Sequence, residues 1–222
     1  MPLIWQFINS SVNIPNSVMI KDYSLEDINL LNTESKNYDF SIFVPDSISI
    51  VLGKGSDPEN AVKWAEVISD QIDIYKRPSG GESVILSENT IVIAIVKRGE
   101  KLVNPSRYFN KYNNMIIEVL TGLGIKNLLK RGFSDICIGE KKILGSSIYR
   151  TGDTVFYHAV MNVSESTDTI EKYLKHPSRE PEYRNGRNHS DFVTSIHEEG
   201  YALEKRKISS RLEEEILRLK YS

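Results

Sequence analysis

The sequence has a single cysteine, Cys137, and only four histidines among its 222 residues. One cysteine cannot form an intramolecular disulfide, and it weakly favours a reducing cytoplasm as the location. The histidines do not occur at zinc-binding spacings, so we expect solvated side chains and no zinc site. They are His158, His176, His189 and His197.

Long apolar runs and an excess of one charge are also missing. No apolar stretch approaches the ~20 residues of a membrane-spanning helix. The first residues, 1–13, lack the basic region, apolar core and cleavage site of a secretory signal. The 28 basic and 30 acidic residues leave a formal net charge of −2, which gives no global attraction to nucleic acid or lipid. We therefore expect neither of these as a partner, and any anion site must be local.

The apolar pattern predicts one α+β domain over residues 1–222, a mixed β-sheet flanked by helices with no internal linker. Strands are predicted where β-branched apolar runs occur, at 48–53, 72–76, 83–86, 90–97 and 154–163, with a hairpin at 134–147. Helices are predicted at 58–71, 104–121, 168–174 and 206–219, and a polar loop at 175–189. The first two helices begin with a capping side chain followed by proline, Asp57-Pro58 and Asn104-Pro105.

A glycine-containing turn, Lys76 to Ser83 (KRPSGGES), joins two predicted strands. Exposed backbone N–H groups in such a turn can bind an anion, and Arg77 could grip a phosphate with two N–H groups. Most turns of this composition only connect strands, so the segment alone does not establish a site. The nearby stretch 53–56 (GKGS) lacks the spacing of a phosphate loop, and we interpret it as a turn that ends a strand.

The predicted hairpin places a lysine inside a strand. If Gly139 and Glu140 form the turn, Cys137 pairs with Lys142 and Ile138 with Lys141. Alternation then puts an acid, a thiol and an amine on one face, with the set Asp135, Cys137, Lys142 and Leu144. An edge hairpin with solvated lysines fits the segment equally well.

Taken in order, four segments resemble the lipoate-protein ligase family, within the wider group of biotin and lipoate ligases. They are KRPSGGESVILS at 76–87, SDICIGEKKILGSS at 134–147, FYHA at 156–159 and HPSREPEYRNGRNHSDF at 176–192. Each is loose, but their order and spacing are specific, and the resemblance covers roughly 48–197. It implies a catalytic domain similar to class II aminoacyl-tRNA synthetases and biotin ligases.

The resemblance also implies an activity. Such ligases use ATP with Mg²⁺ to convert lipoate or octanoate into an acyl-adenylate. They then transfer the acyl group to a lysine of a lipoyl carrier domain, in 2-oxoacid dehydrogenase E2 subunits or the glycine cleavage H protein. Lys142 matches the central lysine and is the expected catalytic residue. The expected nucleotide and acyl pocket comprises Arg77, Ser79, Gly80, Gly81, Glu82, Ser83, Val84, Ile85, Asp135, Gly145 and Ser146, and no protein ligand to a metal is expected.

Three departures from the family pattern keep alternatives open. Glu82 replaces a third glycine, Leu86-Ser87 replaces a His-Asp pair, and the accessory domain of longer ligases is expected to be absent or supplied by a separate subunit. One alternative is an acyltransferase that uses Cys137 as nucleophile without ATP, the thiol being activated by Lys142. A biotin-protein ligase and a non-catalytic module that binds an acyl group or a carrier are the others.

Overall fold

The computed structural model describes residues 19–33, 37–99 and 104–221. The segment 1–13, interpreted above as lacking a secretory signal, lies outside the described residues. Two β-sheets flanked by helices form the described part of the chain. The α+β class predicted from the sequence is therefore confirmed.

The larger sheet has six antiparallel strands in the order β2-β6-β10-β9-β8-β7. Its central strands are apolar on both faces because both faces are covered. Seven of the eight residues of β6, Thr90 to Val96, are buried. The strands are β2 (Tyr38–Phe43), β6 (Thr90–Lys97), β7 (Leu128–Arg131), β8 (Asp135–Ile138), β9 (Lys141–Thr151) and β10 (Thr154–Asn162).

The smaller sheet has four strands in the order β1-β4-β3-β5, and it is mixed: β4 runs parallel to β1 and β3, whereas β5 is antiparallel to β3. Val51 and Leu86 of this sheet pack with Val92 of the larger sheet and with Tyr23. This apolar cluster therefore joins the two sheets. The strands are β1 (Ile20–Asp22), β3 (Ser49–Leu52), β4 (Asp73–Lys76) and β5 (Val84–Leu86).

Two long helices, α3 (Ser106–Gly122) and α6 (Lys205–Tyr221), cover the larger sheet. Their apolar residues recur at helical spacing and enter one core with Ile91, Ile93 and Ile95 of β6. The buried residues of this face include Tyr112, Ile116 and Leu120 of α3 and Ile208, Leu212 and Ile216 of α6. Both helices lie where the sequence predicts them.

The helix predicted at 58–71 is instead two short helices, α1 (Pro58–Ala61) and α2 (Trp64–Ser69). Val62 between them is extended and pairs with Leu174, and the N–H of Lys63 donates to the carbonyl of Tyr173. These partners belong to the end of α4 (Thr167–Tyr173). A tertiary contact thus interrupts a helix that the local pattern favours.

The predicted loop at 175–189 contains a 3₁₀ turn, Glu182–Arg184, and leads into the short helix α5 (His189–Phe192). Strands β1, β2 and β7 were not predicted. In the described residues, no helix has both the length and the apolar character needed to pass through a membrane.

Candidate functional site

The hairpin of β8 and β9 has the predicted register at its turn, with Cys137 opposite Lys142 and Ile138 opposite Lys141. A register shift between Ile136 and Cys137 then changes the pairing. Leu144 consequently pairs with Ile136 and joins the apolar core. The prediction that Leu144 shares the face of Lys142 is therefore wrong, because strict alternation ignores a bulge.

The lysine of this hairpin is held by a buried carboxylate. The Nζ of Lys142 lies 2.9 Å from Oδ1 of Asp135, and their side chains are 27% and 7% exposed. The other oxygen, Oδ2, accepts a 2.6 Å hydrogen bond from the hydroxyl of Tyr183. Since Tyr183 belongs to the segment 176–192, this segment and the hairpin together fix where the ammonium points.

Gly145 leaves the space that this lysine occupies. A Cβ built at Gly145 would lie 2.8 Å from Nζ and 2.9 Å from Cε of Lys142, closer than real Cβ contacts allow. The long side chain therefore lies across the glycine. The sequence placed Gly145 in the pocket without giving this reason.

Cys137 is not activated by its neighbour. The residue is fully buried, and burial raises the pKa of its thiol to about 11, an effect that Lys142 offsets only in part. Lys142 does lower the pKa of this thiol, as expected, but desolvation raises it by more, so the predicted activation of Cys137 is wrong.

The glycine turn is braced from inside by Arg77. Its Nε donates to Oγ of Ser79 at 3.1 Å and its Nη1 to the carbonyl of Val51 at 3.1 Å. Its Nη2 donates at 2.8 Å to the carbonyls of both Gly80 and Glu82. Four of the five N–H groups thus bond protein oxygens, so a two-pronged grip on phosphate, as the sequence suggested, would require breaking bonds that shape the turn.

The segment 53–56 supports the same turn from its other side. The N–H of Lys54 donates to the carbonyl of Ser79 at 2.8 Å, and Oγ of Ser56 to that of Gly81 at 3.4 Å. A Cβ at Gly53 would lie 1.8 Å from the carbonyl oxygen of Gly81. The predicted strand-ending turn is therefore also a backbone support of the site.

Behind the turn lies a buried polar network that the sequence did not reveal. The expectation of a solvated side chain is wrong for His158, which is 7% exposed because it bonds within this network. Nε2 of His158 lies 2.6 Å from Oγ of Ser79, and its Nδ1 lies 3.6 Å from the carboxylate of Asp27. The hydroxyl of Tyr23 donates to the same carboxylate at 2.8 Å. Burial lowers the pKa of His158. The network therefore presents an uncharged imidazole to the site at neutral pH.

Two adjoining cavities open on these residues. The larger, of about 450 Å³, is bounded at one side by the apolar cluster of Tyr23, Val51, Leu86 and Val92. The smaller, of about 150 Å³, is also lined by Lys175, Arg184 and His189, which the larger cavity lacks. The wall that both share contains Glu82, Ser83, Val84, Lys142, Gly145, Val160, Arg179 and Pro181.

The structure brings most predicted site residues into this region. The larger cavity is lined by Arg77, Gly80, Gly81, Glu82, Ser83, Val84, Asp135, Lys142, Gly145 and Ser146, and the smaller by Ile85 among others. Ser79 is 1% exposed and bonds the turn and His158 instead. Tyr23, His158 and Arg179 were missed as site residues; the YH pair and the 176–192 segment were the available signals.

Glu82 occupies the shared wall without straining the backbone. The only non-glycine residues with positive φ in 19–33, 37–99 and 104–221 are Gln71, Asn127 and Asn185, so the turn does not need a third glycine for its conformation. Burial raises the pKa of the Glu82 carboxyl, whereas Arg179 and Arg77 oppose that rise. The side chain thus adds a carboxylate near the proposed anion site, partly offset by arginines.

Residues 21–217 match the model of the lipoyl protein ligase A/B catalytic domain. The chain belongs to this family. Among curated members, it is 24% identical over 168 residues to lipoate–protein ligase 1 of Staphylococcus aureus, an alignment covering 75% of this chain and 48% of that protein. It is 26% identical over 158 residues to lipoate-protein ligase A of Psychrobacter cryohalolentis, covering 66% and 44%. The chain thus spans about half the length of the curated relatives it matches.

Solved structures of ligases in this family share the fold. A bi-partite lipoate protein ligase from Thermoplasma acidophilum, described with its E2 lipoyl domain, superposes with a TM-score of 0.74 at 18% identity, covering 88% of this chain and 76% of that one. A lipoate-protein ligase A bound with ATP gives 0.73 at 18% identity, covering 88% and 78%. The lipoyl ligase family predicted from the four segments is confirmed.

Proposed function

We propose that this chain is a lipoate-protein ligase that activates lipoate or octanoate with MgATP and transfers the acyl group to a lysine of a lipoyl carrier domain. The observation that carries the proposal is the position of Lys142. Its ammonium lies in the wall common to the two cavities and is held by Asp135. The lysine side chain lies across Gly145, which has no side chain to displace it. Membership of the lipoyl ligase family supports the same activity.

The walls of the two cavities suit different parts of the substrates. The larger cavity ends at the apolar cluster that joins the sheets, which suits the hydrocarbon chain of the acid. The smaller cavity is bordered by cationic side chains, Lys142, Lys175, Arg179 and Arg184, which suit the phosphates of a nucleotide. We assign the acid to the larger cavity and the nucleotide to the smaller one.

Lys142 then acts where the two substrates meet. A carboxylate oxygen of the acid attacks the α-phosphorus, the bond from that phosphorus to the bridging oxygen breaks, and pyrophosphate leaves with the electron pair. Both reactants are anions, so an ammonium between them offsets their repulsion and stabilises the negative charge of the transition state. Mg²⁺ would enter as part of the nucleotide substrate and would offset part of the phosphate charge.

The second step transfers the acyl group. The neutral amine of a carrier lysine attacks the carbonyl carbon of the mixed anhydride, AMP leaves with the electron pair, and the nitrogen loses a proton. The carrier partners we propose are E2 lipoyl domains or the glycine cleavage H protein. Purified chain should be assayed with each carrier, alone and with a candidate accessory subunit, since the family includes a bi-partite ligase.

ATP–pyrophosphate exchange tests the activation step. We expect exchange that depends on lipoate or octanoate and is absent with biotin. If neither acid supports exchange but the chain binds an acyl group tightly, the non-catalytic module is favoured. Exchange with biotin alone would favour a biotin ligase.

The rival transferase has little structural support. The single cysteine of this chain, Cys137, is fully buried, and burial raises the pKa of its thiol. Cys137 pairs with Lys142 across the hairpin, but it is not among the described residues that line either cavity. Acyl transfer from an acyl-thioester donor without ATP would favour this rival over the ligase.

A further inference from the structure

One arginine in the segment 176–192 has a buried N–H group with no acceptor. Arg184 is 4% exposed. Its Nε donates to the carbonyl of Arg187 at 2.9 Å and lies 3.5 Å from the carboxylate of Glu180. Its Nη2 is buried and has no hydrogen-bond partner among residues 19–33, 37–99 and 104–221. A buried cationic donor left unbonded costs free energy, which indicates that a ligand supplies the acceptor.

The guanidinium of Arg184 is held over an aromatic ring. It lies over the ring of Phe192 at 4.7 Å, and Phe192 is itself buried against the ring of Tyr183 at 5.2 Å. Stacking of this kind orients the N–H groups before a ligand arrives. The donor is therefore preorganised for an anion in one position.

Arg184 lines the smaller cavity together with Lys142, Lys175 and Arg179. These four cationic side chains outnumber the two carboxylates of the described lining, Glu82 and Glu165. His189 also lines this cavity, but its imidazole is uncharged at neutral pH. Burial, and next the charge of Arg184, lower the pKa of His189 to about 4. The carboxylate of Glu165, also in this wall, is bonded to the hydroxyl of Ser87.

We propose that Arg184 forms a subsite for the two terminal phosphates of the nucleotide, which leave as pyrophosphate. The inference rests on the proposed ligase activity. Lys142, in the shared wall, marks the place where carboxylate and α-phosphate meet, whereas Arg184 lines only the smaller cavity. A guanidinium that donates to phosphate oxygens forms strong, directional hydrogen bonds. The same contact holds the nucleotide and stabilises the leaving group.

Arg187 provides a matched control. Its guanidinium lies over the same ring at 5.2 Å. Its N–H groups, however, donate to the main-chain carbonyls of Glu140, Tyr183, Arg184 and Asp191. Loss of Arg187 therefore removes an arginine from the same loop and ring while leaving Arg184 and its unbonded Nη2 in place.

Isothermal titration of inorganic pyrophosphate, ATP and AMP compares the wild type with Arg184→Gln and Arg187→Gln. Hydrogen bonds to charged groups contribute about 1.5–3 kcal/mol, so Arg184→Gln should weaken pyrophosphate and ATP binding by about 10- to 100-fold. AMP binding, which lacks the terminal phosphates, should not change. Arg187→Gln should bind pyrophosphate as the wild type does.

Unchanged pyrophosphate affinity in Arg184→Gln, an equal loss in Arg187→Gln, or an equal loss for AMP would each overturn the subsite. If Arg184→Gln does not fold, Arg184→Lys keeps the charge but not the planar donor set and should still lose pyrophosphate affinity. ATP–pyrophosphate exchange separates the two proposals. If pyrophosphate binding depends on Arg184 but the wild type shows no acid-dependent exchange, the subsite stands and the ligase proposal is refuted. If Arg184→Gln exchanges at the wild-type rate, the ligase proposal stands and the subsite is refuted.

Discussion

At the scale of single residues, the site depends on where one ammonium can lie. Lys142 is positioned by the carboxylate of Asp135 and by the absence of a side chain at Gly145. The sequence indicated Lys142 through its unusual place inside a strand and through the family resemblance. It could not show the role of Gly145, because that role depends on the register shift at Ile136.

Replacing the ammonium of Lys142 should abolish most formation of the acyl-adenylate. Lys142→Ala deletes a donor in the transition state, and such a loss typically costs about 3–4 kcal/mol, or roughly 10²- to 10³-fold in rate. Lys142→Arg should rescue poorly because its planar fork has a different reach. Acid-dependent exchange is the measurement, and near-normal adenylate formation by Lys142→Ala would remove this residue from the mechanism.

A methyl group at Gly145 should have a similar but smaller effect. Gly145→Ala places a Cβ where Nζ and Cε of Lys142 lie, so the ammonium must move and kcat should fall. Gly122→Ala is the control, because a Cβ there meets no atom within 4 Å. The idea fails if both variants exchange at the wild-type rate.

The buried thiol should be dispensable. Cys137→Ser is expected to retain exchange and acyl transfer, since burial leaves the thiol protonated at neutral pH. Thermal denaturation should accompany the assay to separate instability from chemistry. Loss of transfer in a folded Cys137→Ser protein would revive the thioester route.

At the scale of elements, the segment 176–192 contributes residues to the candidate site, although the sequence predicted mainly a polar loop. Its Tyr183 bonds Asp135, and its Arg184 stacks on Phe192. Long-range contacts of this kind leave no periodic signal in a sequence. The long helices and β6 were predictable because burial of one or both faces imposes a regular apolar pattern, whereas the break at Val62 arises from pairing with Leu174.

Removing the hydroxyl of Tyr183 should make the position of Lys142 less fixed without changing the packing of the aromatic ring. Tyr183→Phe keeps the ring contact with Phe192 but loses the bond to Oδ2 of Asp135, so kcat should fall while KM for the acid changes little. Tyr201→Phe is the control, because that hydroxyl accepts from the backbone of Lys126. Equal kinetics for the two variants would show that Tyr183 does not position Lys142.

At the scale of the whole molecule, the two long helices and the six-stranded sheet share one core. Leu212 of α6 is fully buried in it, whereas Leu217 of the same helix is 40% exposed. Leu212→Ala should lower the free energy of unfolding by about 2–5 kcal/mol, and Leu217→Ala should have a much smaller effect. Urea unfolding measures both, and equal midpoints would place α6 outside the cooperative core.

The carbonyl oxygen of Gly81 lies so close to Gly53 that no side chain fits there, and this contact affects which substitutions the glycine turn can accept. Main-chain contacts from the segment 53–56 hold this turn, and Glu82 does not have a positive φ. The side chain at position 82 can therefore vary while the carbonyls and amides of the turn stay where they are. Selection can therefore exchange a glycine for Glu82 and alter the charge beside a substrate without moving the surrounding backbone. A substitution at position 82 can therefore change the charge that a substrate meets without changing the backbone conformation of the turn.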